Sequence, residues 1–107
     1  MADATAYELP GASDKWEDFE AGVVKWLRQD DSVVAGMWRC TTAEQPGIHE
    51  AEFEMNETVL ILKGRVRVEI VNGPTVELGP GDSASFVKGT VGRWNVLEDV
   101  EEFFVYS

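Results

Sequence analysis

Glu57-Thr-Val-Leu-Ile-Leu-Lys-Gly64-Arg-Val-Arg-Val-Glu-Ile-Val71-Asn72-Gly73-Pro74-Thr75-Val-Glu-Leu78-Gly79-Pro80-Gly81-Asp82 is the stretch that decides the fold. Thr58–Lys63 is a compact apolar strand that Gly64 ends. Arg65–Val71 alternates with period two, which puts Val66, Val68 and Ile70 inward and Arg65, Arg67 and Glu69 in water. Asn72-Gly73 is a hairpin turn, lengthened beyond two residues by Pro74. Thr75–Leu78 returns along the hairpin, and Gly79-Pro80-Gly81-Asp82 turns the chain again. Gly64 and Gly81 stand where tight turns demand positive φ or close chain approach, and the Asp82 carboxylate can turn back onto nearby backbone N–H groups.

The same texture continues outward in both directions. Ser83–Val87, Gly92–Leu97 and Val100–Tyr106 read as strands towards the C-terminus. Upstream, Glu50–Met55 alternates strictly, with Glu50, Glu52 and Glu54 on one face and Ala51, Phe53 and Met55 on the other. Ser32–Thr42 is rich in Val and Trp and is bounded by Asp30-Asp31 and Gln45-Pro46-Gly47. Over residues 15–29, Trp16, Phe19, Val23, Trp26 and Leu27 fit helical spacing, whereas Gly22-Val23-Val24 disfavours a helix and two short strands fit equally well. The expectation is a short turn or helix followed by a strand through Val23–Leu27. Residues 1–14 are expected to form a flexible arm, and 15–107 a single all-β domain, either a sandwich or a closed barrel.

A chain of 107 residues holds one such domain and can bury a real core without staples. Its formal net charge of −11 repels phosphate backbones and anionic lipid heads, so neither nucleic acid nor a membrane is expected as a partner. The lone Cys40 excludes an internal disulfide and a zinc ribbon, and its apolar surroundings suit a small core residue. Met1–Lys15 has no basic start or apolar run of the signal-peptide kind, and the longest aliphatic run, Val59–Leu62, is far too short to span a bilayer. The expected location is cytoplasmic.

Glu57 to Gly64 fits the pattern E-x6-G that closes the first cupin motif, and Gly81 to Gly89 follows the start of the second, normally G-x5-P-x-G. With Gly36-Met-Trp38-Arg-Cys40-Thr and Gly92-Arg-Trp94-Asn-Val96, the chain resembles the small single-domain cupins grouped with (S)-ureidoglycine aminohydrolase, over roughly residues 34–104. The resemblance implies a cupin-type double-stranded β-helix, the RmlC-like jelly-roll barrel, commonly paired into a homodimer.

It also implies a metal site that this sequence does not reproduce. Metal-binding cupins carry H-x-H shortly before the motif glutamate and a third His in the second motif, a ligand set for iron, manganese, nickel or zinc. Here the H-x-H positions fall on Ala51 and Phe53, or on Glu50 and Glu52 in the other register, and the third falls on Gly92. His49 lies outside both registers, and Glu57 alone is left of the four ligands. Where relatives carry Arg-Lys and an aromatic on the last strand, this chain has Glu101, Glu102 and Phe104. No cofactor and no metal ligand are therefore expected. Burying three glutamates is costly, so the register with Phe53 inside is preferred. The opposite register would gather Glu50, Glu52 and Glu57 into an oxygen site for a hard divalent cation.

Glu57 has two readings: a carboxylate accepting hydrogen bonds from a turn or from Trp38, Trp94 or Tyr106, which is preferred, or an acid–base group in an apolar pocket. The functional expectation is a metal-free barrel that is structural or binds a small molecule, its pocket lined by Phe53, Glu57, Trp94 and Glu102. The acidic wall would prefer a neutral or cationic ligand such as an amine. Two enzyme alternatives stand beside it: a metal-dependent ureidoglycine aminohydrolase, and acid–base chemistry in which Glu57 and Glu102 share a proton.

Overall fold

The structure, a computed structural model, describes residues 15–107; the expected N-terminal arm over 1–14 lies outside the described residues. Eight strands form: β1 (Glu17–Asp18), β2 (Val23–Gln29), β3 (Val34–Cys40), β4 (Ile48–Glu52), β5 (Glu57–Ile70), β6 (Thr75–Leu78), β7 (Ser83–Phe86) and β8 (Val91–Tyr106). All pairings are antiparallel, and no helix occurs among the described residues. The helical option for residues 15–29 is thereby overturned. Gly22 takes φ +72° under the backbone of Arg39 and Cys40, which turns the chain into β2 instead.

Two long strands build the barrel by belonging to two layers at once. The first half of β5 pairs with β7 and its second half with β6, while β8 runs along both. The N-terminal half of β8 also takes β4 as a neighbour, and its C-terminal half takes β3, beyond which lie β2 and β1. The result is two packed sheets, β1-β2-β3-β8-β5-β7 and β4-β8-β5-β6, joined through the bent strands β5 and β8. This is the jelly-roll form of an all-β domain, and it confirms the fold class.

The sequence suggests a break at Gly64 and another between Leu97 and Val100. The structure corrects both: β5 and β8 run through these points and bend. Gly64 adopts φ +81°, and a Cβ there would collide with the Asp99 carbonyl of β8. The pairing register shifts repeatedly between Ile61 and Val66, so extra residues are absorbed as bulges that curl the strands from one layer into the other.

The core follows the alternation. Val59, Ile61, Val66 and Val68 of β5 are almost fully buried with Val24, Cys40, Val96, Val100 and Phe104. Burial pushes the Cys40 thiol up to about 11, with the charges of Glu44 and Asp99 adding to it, so it stays protonated. On the outside, Arg65 and Arg67 reach Glu77, as expected of solvent-facing charges. The Asp82 carboxylate accepts the Gly79 N–H at 2.8 Å, closing the turn before β7.

Candidate functional site

β4 decides what occupies the barrel mouth. His49 and Ala51 share one face of this strand, and Phe53, just past its end, continues that face inward. Phe53 is tied by reciprocal backbone hydrogen bonds to the segment before β8: its N–H donates to the Thr90 carbonyl, and its carbonyl accepts the Gly89 N–H, both at 2.8 Å. Ile48, Glu50 and Glu52 point the other way and are exposed. Glu50 is held outside by Arg93 at 2.8 Å, and Arg93 also reaches Glu69 at 3.1 Å. The preferred register therefore holds, and the oxygen cluster of Glu50, Glu52 and Glu57 does not form. Glu50 and Glu52 touch the cavity only at its rim.

Phe53 closes the family's metal position physically. Its ring stacks on Phe86 with centroids 4.8 Å apart and lies 6.1 Å from the ring of Trp94. A Cβ placed on Gly92, the third-His position, would meet the Phe53 ring at 3.0 Å. The two departures belong together: an aromatic ring fills the space that imidazoles would need, and the facing residue has shrunk to glycine. Among the described residues no group of three His, Cys, Asp or Glu side chains is arranged to hold a metal ion. The residues present do not fit the metal centre that the cupin fold implies.

A cavity of about 620 Å³ nevertheless opens between the layers. Phe53, Glu57, Trp94 and Glu102 all line it, so the structure brings together the four residues expected from the sequence. Phe19, Trp26, Trp38, Phe104 and Tyr106 complete the aromatic wall, with Met55 and Val96 beside them. Trp38 and Trp94 meet edge to face at 6.2 Å, as do Trp26 and Phe104 at 5.8 Å, which fixes the walls. Sequence reasoning treated Trp26 and Phe104 as core or strand residues only. Their parity carries the missed signal, since Trp26 sits two residues after buried Val24 and Phe104 two after Glu102. His49, set aside from the sequence, shares the inward parity of Ala51 and stands at the rim with Nε2 3.7 Å from Glu20.

Two carboxyls inside this wall give it its chemistry. Pairing of β5 with β8 sets Glu57 beside Tyr106, and Ile61 beside Glu102. Glu102 is 2% exposed, and its Oε1 has no hydrogen-bond partner among the described residues. Burial first, and then the charge of Glu57, hold the Glu102 carboxyl well above the usual carboxylate range. Burial alone pushes Glu57 up to about 7. The Tyr106 hydroxyl is raised by burial and then by Glu57, Glu102, Glu20 and Glu54, and it stays protonated. The preferred reading of Glu57 as an acceptor for an indole is overturned for Trp38, whose Nε1–H donates to the Ala21 carbonyl at 2.6 Å. No hydrogen bond to the Glu57 carboxyl is present among the described residues. It is a desolvated acid facing a cavity.

The fold and site define a small jelly-roll barrel with an aromatic, acid-bearing cavity in place of a histidine metal centre. Residues 27–104 match the EutQ-like cupin domain, and the chain belongs to that family. Among solved structures it is similar to an ethanolamine utilization protein Q from Salmonella typhimurium LT2, at 17% identity and a TM-score of 0.71 over 85% of this chain and 76% of that one. A protein of family DUF1255 from Acidithiobacillus ferrooxidans covers 97% of both chains at 17% identity with a TM-score of 0.71. At those identities the likeness shows the fold. A DUF861 family protein from Thermotoga maritima is 31% identical, with a TM-score of 0.56 over 64% of this chain and 73% of that one. A comparison with curated protein sequences gives no match.

Proposed function

We propose that this barrel binds a small molecule in the cavity between its two sheets, without the metal chemistry of histidine-bearing cupins. One observation carries the reading: an open cavity of about 620 Å³ holds the buried carboxyl of Glu102, one of whose oxygens has no partner among the described residues. A purely structural barrel would gain by filling that space with apolar side chains, since a buried unsatisfied acceptor costs roughly 1–3 kcal/mol. The volume lies within the range of small-ligand pockets, about 300–1,000 Å³. Phe53, Glu57, Trp94 and Glu102 are the proposed contacts. A ureidoglycine aminohydrolase activity has less behind it: it needs a metal, and of the usual ligand set only Glu57 is present.

The proposal includes a homodimer. Pairing across β3, β8 and β5 sets Met37, Phe103 and Leu60 in one row on the outside of the first sheet, and Leu60 and Leu62 are 36% and 45% exposed. A second copy of the chain would cover this row.

The test is a thermal-shift screen of untagged protein against amines, amides, alcohols, sugars and carboxylic acids at millimolar concentration, with and without manganese. A ligand at about 100 times its Kd adds roughly 2.7 kcal/mol to stability. At least one class is expected to raise Tm by several degrees without metal. A response seen only with manganese would reverse the reading.

A further inference from the structure

We infer that the cavity is built for a small organic cation, an alkyl- or arylalkylammonium ion whose charged head meets the Glu102 carboxyl and whose substituents lie on the aromatic walls. The inference rests on the small-molecule reading above and adds the charge class to it.

The orphan acceptor comes first. Glu102 occupies a position on β8 flanked by Trp38 of β3 and Ile61 of β5, and an apolar side chain would suit such a place. Its Oε1 is buried and no donor among the described residues reaches it, so a donor carried by a ligand would complete it. An ammonium N–H supplies that donor, and its positive charge favours the ionised carboxyl, so that binding releases the Glu102 proton and makes the stronger, charge-assisted kind of hydrogen bond.

The sign of the surroundings comes second. β5 contributes Glu57, β8 Tyr106, the segment before β5 Glu54, and the segment before β2 Glu20. β4 contributes His49, which faces Glu20, together with Glu50 and Glu52. β2 and β3 contribute only the indoles of Trp26 and Trp38, and no Lys or Arg occurs among the described lining residues. An anion entering here would meet carboxyls with no strong counter-charge, whereas a cation would provide the charge the cavity lacks.

The walls agree. The Nε1–H of Trp38 is spent on the Ala21 carbonyl at 2.6 Å, and that of Trp26 on Glu17 at 2.9 Å. What both indoles have left to offer is the ring. Aromatic faces around an acidic group attract organic cations through the ring quadrupole and cover their carbon substituents at the same time.

The experiment is a calorimetric titration of butylammonium and phenethylammonium chloride, each compared with the alcohol and the carboxylate of like carbon skeleton at one fixed ionic strength. At least one ammonium ion is expected to saturate one site per chain and to bind about tenfold or more tightly than its alcohol, with no measurable binding of the carboxylate. In the isosteric variant Glu102→Gln the ratio of ammonium to alcohol affinity should shrink to about threefold or less. An alcohol that binds as tightly as its ammonium overturns the cation inference and leaves the binding reading standing. Silence from every probe up to about 10 mM, the weak end of specific affinity, overturns both. Should Glu102→Gln fail to fold, the contrast between ammonium and alcohol on the unaltered chain still decides.

Discussion

Among single residues, Glu57 and Glu102 give this domain its pH dependence. The folded protein keeps a proton on Glu57 up to about pH 7, whereas the unfolded chain releases it near 4.5. Between those values the folded state binds more protons, so stability is greatest at the acid end and falls as pH rises through the folded value. Glu102, held still higher, adds a fall of the same sign throughout this range and continues it upward. The expected cost between pH 5.5 and pH 7.5 is at most about 2 kcal/mol from Glu57, or roughly 5–10 °C in Tm for a domain of this size. Thermal melts of the wild-type chain and Glu57→Gln across that range check it. The wild-type Tm should fall more steeply with pH than that of the variant. Parallel profiles would show that Glu57 contributes nothing to the slope, which Glu102 and overall charge repulsion would then set.

Among the strands, the bend in β5 carries the barrel. Gly64 combines a left-handed φ of +81° with contact against the Asp99 backbone, and the register slips on either side of it. Gly64→Ala should therefore cost about 2 kcal/mol or more, since strain in φ and a clash with main chain add together. Urea unfolding measures it, with Gly81→Ala as the control: Gly81 has φ +87° but open space around its Cβ, and the loss there should stay near about 1 kcal/mol. Equal losses at both glycines would mean that the contact with Asp99 contributes nothing.

For the molecule as a whole, the first sheet presents an apolar row to solvent and the chain carries a net charge of −11. Charge of that size opposes self-association, so pairing of two copies must come from covering apolar area. Light scattering is expected to show twice the chain mass of 11.9 kDa at physiological salt. Leu60→Glu, at the β5 end of the row, should convert it to monomer while leaving the melt cooperative. A wild-type particle of single-chain mass at about 0.1 mM would end the dimer proposal, because a specific interface holds well below that concentration.

Whatever depends on nearest neighbours along the chain was legible in the sequence. Alternation put Phe53 inside and Glu50 and Glu52 outside, the glycines marked the turns, and the E-x6-G spacing led to the cupin barrel. The resemblance to cupins, with Phe53 placed inward by that alternation, also implied Phe53, Glu57, Trp94 and Glu102 as one pocket, and the cavity is lined by all four. Whatever depends on contacts between distant strands needed the closed barrel. Glycine in a strand signals a stop or a bulge equally well, so the continuity of β5 and β8 through their bends had to be seen. Likewise no local signal tells that the Phe53 ring lies over Gly92, that the Trp38 N–H is taken by Ala21, or that Glu102 is left without a donor. Those contacts join residues between 17 and 39 positions apart or none at all, and hydrogen-bond satisfaction in a barrel interior is a property of the closed sheet, not of any segment of it.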